Sequence, residues 1–330
     1  MKWRYNLQLM EDKFFKILSI DGGGIRGVLP AAYLNYVQER IDAPIYKYFD
    51  MIVGTSTGGI IALALALEVP TEKILNLYKT KGKKIFSYSL WTFLNGFFTP
   101  KYKNTNLINE LKEIFGENTA LGEAKTRICI PSVDITNGKA VVFKTRHHPE
   151  YVNDYKIEAW KIGAATSAAP IYFPAFFTAT SGYVDGGIWA NNPSIVGIAE
   201  AYKLNYKPDR IKMLSLGTGS MNLHRNKLLA KFFGLIGWRT SLIDLTFEAQ
   251  SQGISNVAKY LCNHNYERIN RDLPCMNSLL GKFDLDNTNR TSELEGFAEF
   301  LGRNTFENIK NKFFDKEVEP FIPIPEERKK

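Results

Sequence analysis

The feature that most constrains the fold is a unit of strand, glycine turn and helix that occurs twice near the start of the chain. Residues 14–20 form an apolar run that breaks at the sequence DGGG (21–24), and apolar residues at helical spacing follow. A second run at 50–53 ends in GTSTGG (54–59) and leads into the apolar stretch 60–67. Consecutive units of this kind predict a mostly parallel sheet covered by helices on both faces.

The rest of the chain continues this alternation and then becomes helical. Further strands are predicted over residues 127–133, 140–145 and 210–216, and helices over residues 159–165 and 194–204. No linker rich in proline, glycine or serine divides the 330 residues. We therefore predict one α/β domain with a catalytic core over 14–219, a helix-rich portion over 220–317 packed on it, and an extended charged tail over 318–330.

Membrane and compartment signals are weak in this sequence. The longest apolar stretch, residues 60–67, is far shorter than the roughly 20 residues that a membrane-spanning helix needs. The first 13 residues do not have the pattern of a signal peptide. The three cysteines lie far apart without metal-ligand spacing, which is typical of reduced thiols in a cytosolic protein (Cys129, Cys262 and Cys275). Any work on a membrane is therefore expected at its surface.

The charge of the chain favours an anionic partner without identifying one. The sequence has 42 basic and 34 acidic residues, a formal net charge of +8. Such an excess suits acidic lipid headgroups, nucleotides or nucleic acid. Because the basic residues are spread along the chain, a merely soluble surface explains them equally well.

The second glycine turn fits the pattern G-x-S-x-G. A nucleophilic serine needs a strained turn between strand and helix that exposes its hydroxyl. Gly54 and Gly58 flank Ser56 at the positions where side chains would collide across the turn. The helix that follows directs its N-terminus at the site and favours developing negative charge. Ser56 is therefore the predicted nucleophile.

The first glycine turn, DGGGIRG at 21–27, leaves backbone amides bare. The N–H groups of Gly22, Gly23 and Gly24 form a candidate anion-binding nest. The nest could cradle a phosphate or serve as an oxyanion hole. A dinucleotide site would need an acidic residue at a strand end about twenty positions later, and Asp42 lies instead between helix and loop. The serine on the second turn favours the oxyanion hole.

Histidines are the first candidates for the base that activates Ser56. In an α/β-hydrolase the base is a histidine downstream of the serine, which leaves His224 and His264. Both lie in polar, loop-like sequence, as do His147 and His148, so all four are expected to be surface side chains. A Ser-His-Asp triad remains an alternative with weak support.

Asp185 is the better candidate for the base. It follows an aromatic, apolar segment at 171–183 and precedes Gly186 and Gly187, which let the backbone turn sharply. A carboxylate in partly apolar surroundings has a raised pKa, so it can accept the serine proton directly. From the residues alone, an Asp-Gly-Gly turn without chemistry is an equally good interpretation.

Together, the motifs at 21–27, 54–58 and 185–187 resemble those of the patatin-like phospholipases. Similar likeness extends to the segments 166–170, 191–193 and 215–219, so that the resemblance covers roughly residues 16–219. It implies a patatin-like three-layer α/β fold and a Ser56–Asp185 dyad without catalytic histidine or metal. It also implies an oxyanion hole from Gly22, Gly23 and Gly24, with Arg26 bracing the loop.

Chain size and opening residues are most similar to bacterial patatin-like effectors of cyclic-oligonucleotide anti-phage signalling. That resemblance implies a cytoplasmic enzyme, peripheral at the inner membrane when active, that releases fatty acids from membrane phospholipid. It further implies a cyclic dinucleotide as activator, no cofactor and no nucleic acid partner. The alternatives are a constitutive patatin-like lipase, a soluble carboxylesterase with a triad, and a catalytically silent nucleotide-binding or storage protein. The sequence leaves the oligomeric state open.

Two aromatic segments with basic flanks are candidates for a membrane-facing lid. The first, at 86–98, contains Trp91 and Phe97, and the second, at 228–247, contains Trp238. Apolar faces with basic flanks suit binding to a lipid surface. The alternative is that both segments cover the core.

Overall fold

The structure is a computed structural model that describes residues 13–87, 99–220, 235–273 and 283–325; of residues 235–241 it describes the backbone alone. It confirms the predicted α/β fold with a mostly parallel central sheet. The strands are β1 Phe15–Ile20, β2 Met51–Gly54, β3 Arg127–Asp134, β4 Lys139–Lys144, β5 Phe176–Phe177, β6 Gly182–Asp185, β7 Ile211–Leu216 and β8 Tyr266–Ile269.

The α-helices of the described residues follow the predicted positions closely where a prediction was made. They are α1 Val28–Gln38, α2 Thr57–Ala66, α3 Thr71–Thr80, α4 Gly82–Ile85, α5 Thr105–Phe115, α6 Ala159–Thr166, α7 Gly187–Ala190, α8 Ser194–Lys203, α9 Leu235–Cys262 and α10 Thr291–Phe313. A short 3-10 turn at Gly24–Gly27 leads into α1.

The sheet has eight strands in the order β5-β6-β3-β2-β1-β7-β8, with β4 also paired to β3. The strands β3, β2, β1, β7 and β8 run parallel, and β4, β5 and β6 add the antiparallel pairs. In register, Ile20 pairs with Gly54 and with Leu216, so β1, β2 and β7 end at one edge of the sheet. Ligand sites of parallel sheets lie at this edge, and both glycine turns begin there.

Buried apolar residues cover both faces of the sheet, as a three-layer arrangement requires. One cluster includes Leu18 and Ile52 with residues of α1, α2 and α10. The other includes Ile17, Met51 and Cys129 with residues of α8 and of the C-terminal half of α9. Helix α2 is apolar all around because it lies buried along its whole length.

The C-terminal portion contributes to the sheet itself, which the sequence did not predict. After α9, strand β8 pairs in parallel with β7, and α10 then packs against α1 on the opposite face. The described part of the final segment, up to residue 325, includes no helix or strand, and Val318 N–H donates to the Lys47 carbonyl.

The first candidate lid segment falls almost wholly outside the described residues, and the second falls partly outside them. This holds for Trp91 and Phe97, and for residues 228–234 of the second segment; of Trp238 the backbone alone is described, within α9. The lid therefore stays a prediction. Among the residues that the structure describes, no helix is both long and apolar enough to cross a membrane.

Candidate active site

Ser56 lies on a tight turn between β2 and the buried helix α2. Its backbone has φ 53° and ψ −123°, a left-handed conformation that a residue with a side chain adopts only under strain. An added Cβ at Gly54 would lie 2.1 Å from the Gly58 carbonyl oxygen, and one at Gly58 would lie 2.2 Å from the Ile20 oxygen. The sequence forms this turn because glycine occupies both points of contact.

Asp185 ends β6 and faces the serine. The Ser56 Oγ donates a hydrogen bond of 2.6 Å to Asp185 Oδ2, and the Gly187 N–H donates one of 2.7 Å to Oδ1. The aspartate side chain is fully buried. The pKa of the Asp185 carboxyl is raised to about 7 because burial, which raises it, outweighs the two hydrogen bonds, which lower it. This carboxyl is therefore placed and tuned to take the serine proton near neutral pH.

A segment at the end of α6 joins the serine to the aspartate. The Thr166 Oγ1 accepts a 3.0 Å hydrogen bond from the Ser56 N–H. The carbonyls of Thr166 and Ala168 accept from the N–H groups of Gly186 and Asp185. From the sequence, residues 166–170 were identified only as part of the family likeness. In the structure the Thr166 hydroxyl holds the serine side of the site, and the carbonyls of Thr166 and Ala168 hold the aspartate side.

The glycine loop lies directly over Ser56. Gly22 is so close that an added Cβ would lie 3.2 Å from the Ser56 Cβ, and Gly24 has φ +57° and lines the pocket beside the serine. The Gly22 N–H donates to the Asn191 carbonyl, which differs from its expected role as an oxyanion donor. The amides of Gly23 and Gly24 have no acceptor among the described residues, which leaves them as the candidate anion-binding pair.

Arg26 and Asp21 fix the two ends of this loop. The buried Arg26 guanidinium donates a 3.0 Å hydrogen bond to the Gly219 carbonyl and so ties the loop to the segment that follows β7. Asp21 accepts two hydrogen bonds from Arg268 in β8, of 2.8 and 2.5 Å, and one of 2.7 Å from the Ser251 hydroxyl in α9. We call Asp21, Ser251 and Arg268 the loop clamp.

Sequence reasoning missed the clamp residues of the C-terminal portion. Arg268 and Ser251 belong to no motif, and more than 200 positions separate each from Asp21. The only local signal was an arginine in the four-residue strand β8, which the sequence did not predict. Such a residue needs a buried anion as partner, but the sequence does not say which one.

An apolar pocket opens beside the two reactive groups. It has about 620 Å³ of empty space, part of it open to solvent, and Ser56 and Asp185 both contribute to its wall. Its other lining is mostly aliphatic and aromatic, including Ile60, Leu77, Ile85, Leu107, Phe173 and Phe247. A pocket with this lining and two polar groups at one end suits an ester with a long hydrocarbon chain.

The histidines do not complete this site among the described residues. His264 is exposed in the turn after α9, and His224 lies outside the described residues. The expectation that His147 is a surface side chain is wrong. It is buried, with Nε2 3.2 Å from Glu200 Oε1 and Nδ1 2.8 Å from Thr145 Oγ1. Tertiary partners, which local sequence does not reveal, decide its burial.

Ligand atoms of Cys129, His147 and Glu200 all lie within 4.8 Å of one another, a spacing that a metal ion could bridge. Glu200 also accepts hydrogen bonds from Lys144 and Tyr151. These protein donors already neutralise and satisfy the carboxylate, so we assign the group to a buried polar network. It belongs to the face of the sheet on which Cys129 packs with α8.

Comparison with known proteins agrees with the geometry. The family model described as "Patatin-like phospholipase" matches residues 18–196. A cGAMP-activated phospholipase of Pseudomonas aeruginosa is 33% identical over 77% of this chain and 78% of its own length. A protein with the same name from Escherichia coli is 33% identical over 57% of this chain and 56% of its own length. One from Vibrio cholerae is 29% identical over 84% of this chain and 86% of its own length.

Proposed function

The chain belongs to the patatin-like phospholipase family, and from that premise we propose that it releases fatty acids from membrane phospholipids with Ser56 as nucleophile and Asp185 as base. The observation that carries this proposal is the 2.6 Å hydrogen bond from the Ser56 hydroxyl to a buried carboxylate. The serine lies on the strained turn at the wall of the apolar pocket, and the carboxyl has a pKa of about 7. The group that must lose a proton and the group that must accept it are thus already in contact.

In the first half of the reaction, the Ser56 Oγ attacks the ester carbonyl carbon while its proton moves to Asp185. The carbonyl oxygen takes the negative charge and accepts hydrogen bonds from the free amides of Gly23 and Gly24. Collapse of the intermediate breaks the bond to the alcohol oxygen, which leaves with the proton from Asp185. The lysophospholipid departs, and the acyl group stays on Ser56.

Water completes the cycle. Asp185 accepts a proton from a water molecule as the water oxygen attacks the acyl carbon, and the same two amides hold the oxyanion. The bond to the Ser56 Oγ then breaks and the serine recovers its proton from Asp185. The fatty acid leaves with the oxygen of the water. Two proton transfers through one carboxyl account for each half, so a histidine is not needed.

The pocket supports a lipid substrate over a small soluble ester. Its aliphatic and aromatic wall suits one acyl chain with the ester at the polar end, next to Ser56. Each methylene that enters contributes about 0.8 kcal/mol of transfer free energy, so long chains are favoured. An excess of basic residues, +8 in total, adds attraction to an anionic lipid surface.

Activation by a cyclic dinucleotide in anti-phage defence is the finer part of the proposal. Its support is the name of the bacterial relatives, cGAMP-activated phospholipases, one of which aligns with 77% of this chain. We propose that the same kind of ligand switches this protein to membrane phospholipid at the inner surface of the cell membrane. The enzyme would then act at the membrane surface only when the ligand is bound.

The test is fatty-acid release from mixed phospholipid vesicles by the wild type and Ser56→Ala, each with and without a panel of cyclic dinucleotides. We expect release that needs Ser56 and one particular dinucleotide. Release that needs Ser56 but ignores every nucleotide would keep the hydrolase and overturn the switch. Equal release by Ser56→Ala would overturn the catalytic assignment.

A further inference from the structure

The outward face of helix α9 is apolar over most of the described length. From Leu242 onward, this helix exposes Leu242 by 51%, Leu245 by 39%, Val257 by 44% and Tyr260 by 87%. Ala249 and Gly253, between these residues, are exposed as well, and a Cβ added at Gly253 would meet nothing within 4 Å. The spacing of three, four, four, four and three residues keeps all six on one side of an α-helix.

This face is also unusual in its charge. Among the exposed residues of α9 from Leu242 to Leu261, Lys259 alone is charged, and the others are apolar or amide side chains. Helix α10 is nearly as long and shows the ordinary pattern: its exposed residues include Glu299, Arg303, Glu307 and Lys310. A long helix with a single outward charge over this stretch is typical of one whose outer face is covered by another surface.

The residues of the face repeat symmetrically about position 251. Leu242 and Tyr260 lie nine residues on either side of it, Leu245 and Val257 six, and Ala249 and Gly253 two. If two copies of α9 cross in opposite directions about a two-fold axis, each residue of one copy meets its mirror position in the other. Leu245 then faces Val257, and the small Ala249 and Gly253 let the helix axes approach at the centre.

We propose that this face docks against the same face of a second copy of the chain, as an antiparallel pair of α9 helices. The symmetric pattern is what an isologous contact requires. The centre of the face favours this occupant over a bilayer, because the small Ala249 and Gly253 offer little apolar surface to lipid but let a second helix approach closely. Two chains of formal charge +8 repel each other, so they meet most readily where exposed cations are few, and Lys259 is the one exposed cation of this helix between Leu242 and Leu261.

The contact would reach the active site through the opposite face of the same helix. On the inward side, Phe247 lines the pocket and the Ser251 hydroxyl donates to Asp21. Gln250 accepts a hydrogen bond from the Asn191 N–H. Pairing therefore braces the helix that holds the glycine loop. A contact of about 27 Å between two helices is small, so a dissociation constant of the order of micromolar is expected.

The test is sedimentation equilibrium of the full chain from roughly 1 to 100 µM, a range that brackets a micromolar constant. The variants are Leu245→Glu, Val257→Lys and the double variant, with Phe300→Glu as matched control. Phe300 is an exposed apolar residue of α10, 59% accessible, outside the proposed interface. Circular dichroism and thermal unfolding of each variant establish that the fold is retained.

We expect each single variant to weaken the dimer by about tenfold or more, because it buries a charge against an apolar partner. The double variant should recover most of the loss, since the introduced carboxylate of one copy then faces the introduced ammonium of the other, twice per dimer. Phe300→Glu should dimerise like the wild type. A wild type that is monomeric at 100 µM, or a double variant no better than the singles, would overturn the proposal. The proposal would also be overturned if the wild type is a monomer that binds phospholipid vesicles and Leu245→Glu no longer binds them.

Discussion

The two parts of the active site are held from different regions of the chain. Ser56 contacts Asp185 directly, and Thr166 accepts from the N–H groups of Ser56 and Gly186, so the dyad and its support all lie within the residues that the family model matches. The glycine loop is held at Asp21 by Ser251 and Arg268, both beyond the matched residues. The reacting side chains thus come from the motifs, whereas the geometry of the anion-binding amides depends on the C-terminal portion.

This difference separates two requirements of catalysis. Proton transfer needs two side chains in contact, and the dyad has that contact within the core. Stabilisation of an oxyanion needs amides fixed to within a fraction of an ångström, which depends on whatever anchors the loop. A chain with intact motifs and a loosened clamp should therefore keep a reactive serine and lose rate.

The largest effect should come from the dyad itself. We expect Ser56→Ala to lower phospholipid hydrolysis by at least about 10⁴-fold and Asp185→Asn by about 10²- to 10⁴-fold, because one removes the nucleophile and the other the base. Binding of a non-hydrolysable phospholipid analogue should persist in both. Fatty-acid release at enzyme excess measures the rates. Substantial turnover by Asp185→Asn would mean that another group takes the serine proton.

Breaking the clamp should have an intermediate effect of a different kind. Arg268→Gln leaves Asp21 buried without its charged partner, which costs about 3–5 kcal/mol of stability. We expect a 10- to 100-fold lower kcat per folded molecule with little change in KM for a soluble ester, since the oxyanion donors shift and the pocket does not. Labelling of Ser56 by a fluorophosphonate counts the folded, reactive molecules.

A second variant separates positioning from stability in this test. Asp21→Asn with Arg268→Gln removes both charges, so most of the lost unfolding free energy should return. The kcat should stay low, because the loop has lost its bidentate anchor. If kcat recovered together with the stability, the clamp would be a structural ion pair and the proposed division between the two regions would fail.

Sequence reasoning found the first region and not the second, for a physical reason. The elbow around Ser56 follows from local sterics: glycines at 54 and 58 are needed within a few residues of the serine, so the pattern is visible in the chain. Asp185 was supported mainly by the resemblance, because an Asp-Gly-Gly turn alone is ambiguous. The parallel sheet was equally readable, since each strand and helix carries its own periodicity.

The clamp and the buried histidine depend on contacts that no local pattern encodes. Arg268 reaches Asp21 across 247 positions, and His147 lies in loop-like sequence yet is buried against Glu200. The bond from the Gly22 amide to Asn191 was missed for the same reason. Tertiary packing chooses these partners, so a single sequence cannot rank them.

The pH dependence should belong to the dyad alone. Because burial raises the pKa of Asp185 to about 7, its basic form is lost below neutral pH, and the rate should fall about tenfold between pH 8 and pH 6. Arg268→Gln should lower the whole profile without moving its midpoint. The profile of kcat/KM for a soluble ester measures both. A midpoint near 4 would show an Asp185 that is not desolvated.

The raised pKa of Asp185 also makes the stability depend on pH: the rate should rise with pH, whereas the stability should fall. The folded pKa lies above the ordinary value of 3.8, so the wild type loses stability as pH rises from about 4 through 7. Asp185→Asn keeps the shape without the charge and should be more stable by a few kcal/mol at pH 8 and by little at pH 4. Chemical unfolding at both pH values tests the sign.

The smallest effect should come from the histidines, and it decides between the dyad and a triad. We expect His224→Ala and His264→Ala each to change phospholipid hydrolysis by less than about twofold, because the Ser56 proton already has an acceptor at 2.6 Å and His264 is exposed. Removal of a true general base costs about 10²-fold or more. A loss of that size in either variant, with Ser56 still labelled by a slow covalent inhibitor and unfolding unchanged, would place a histidine beside the serine. The proposed division between the dyad region and the clamp region would then fail, because the C-terminal portion would supply a reacting group as well as the clamp.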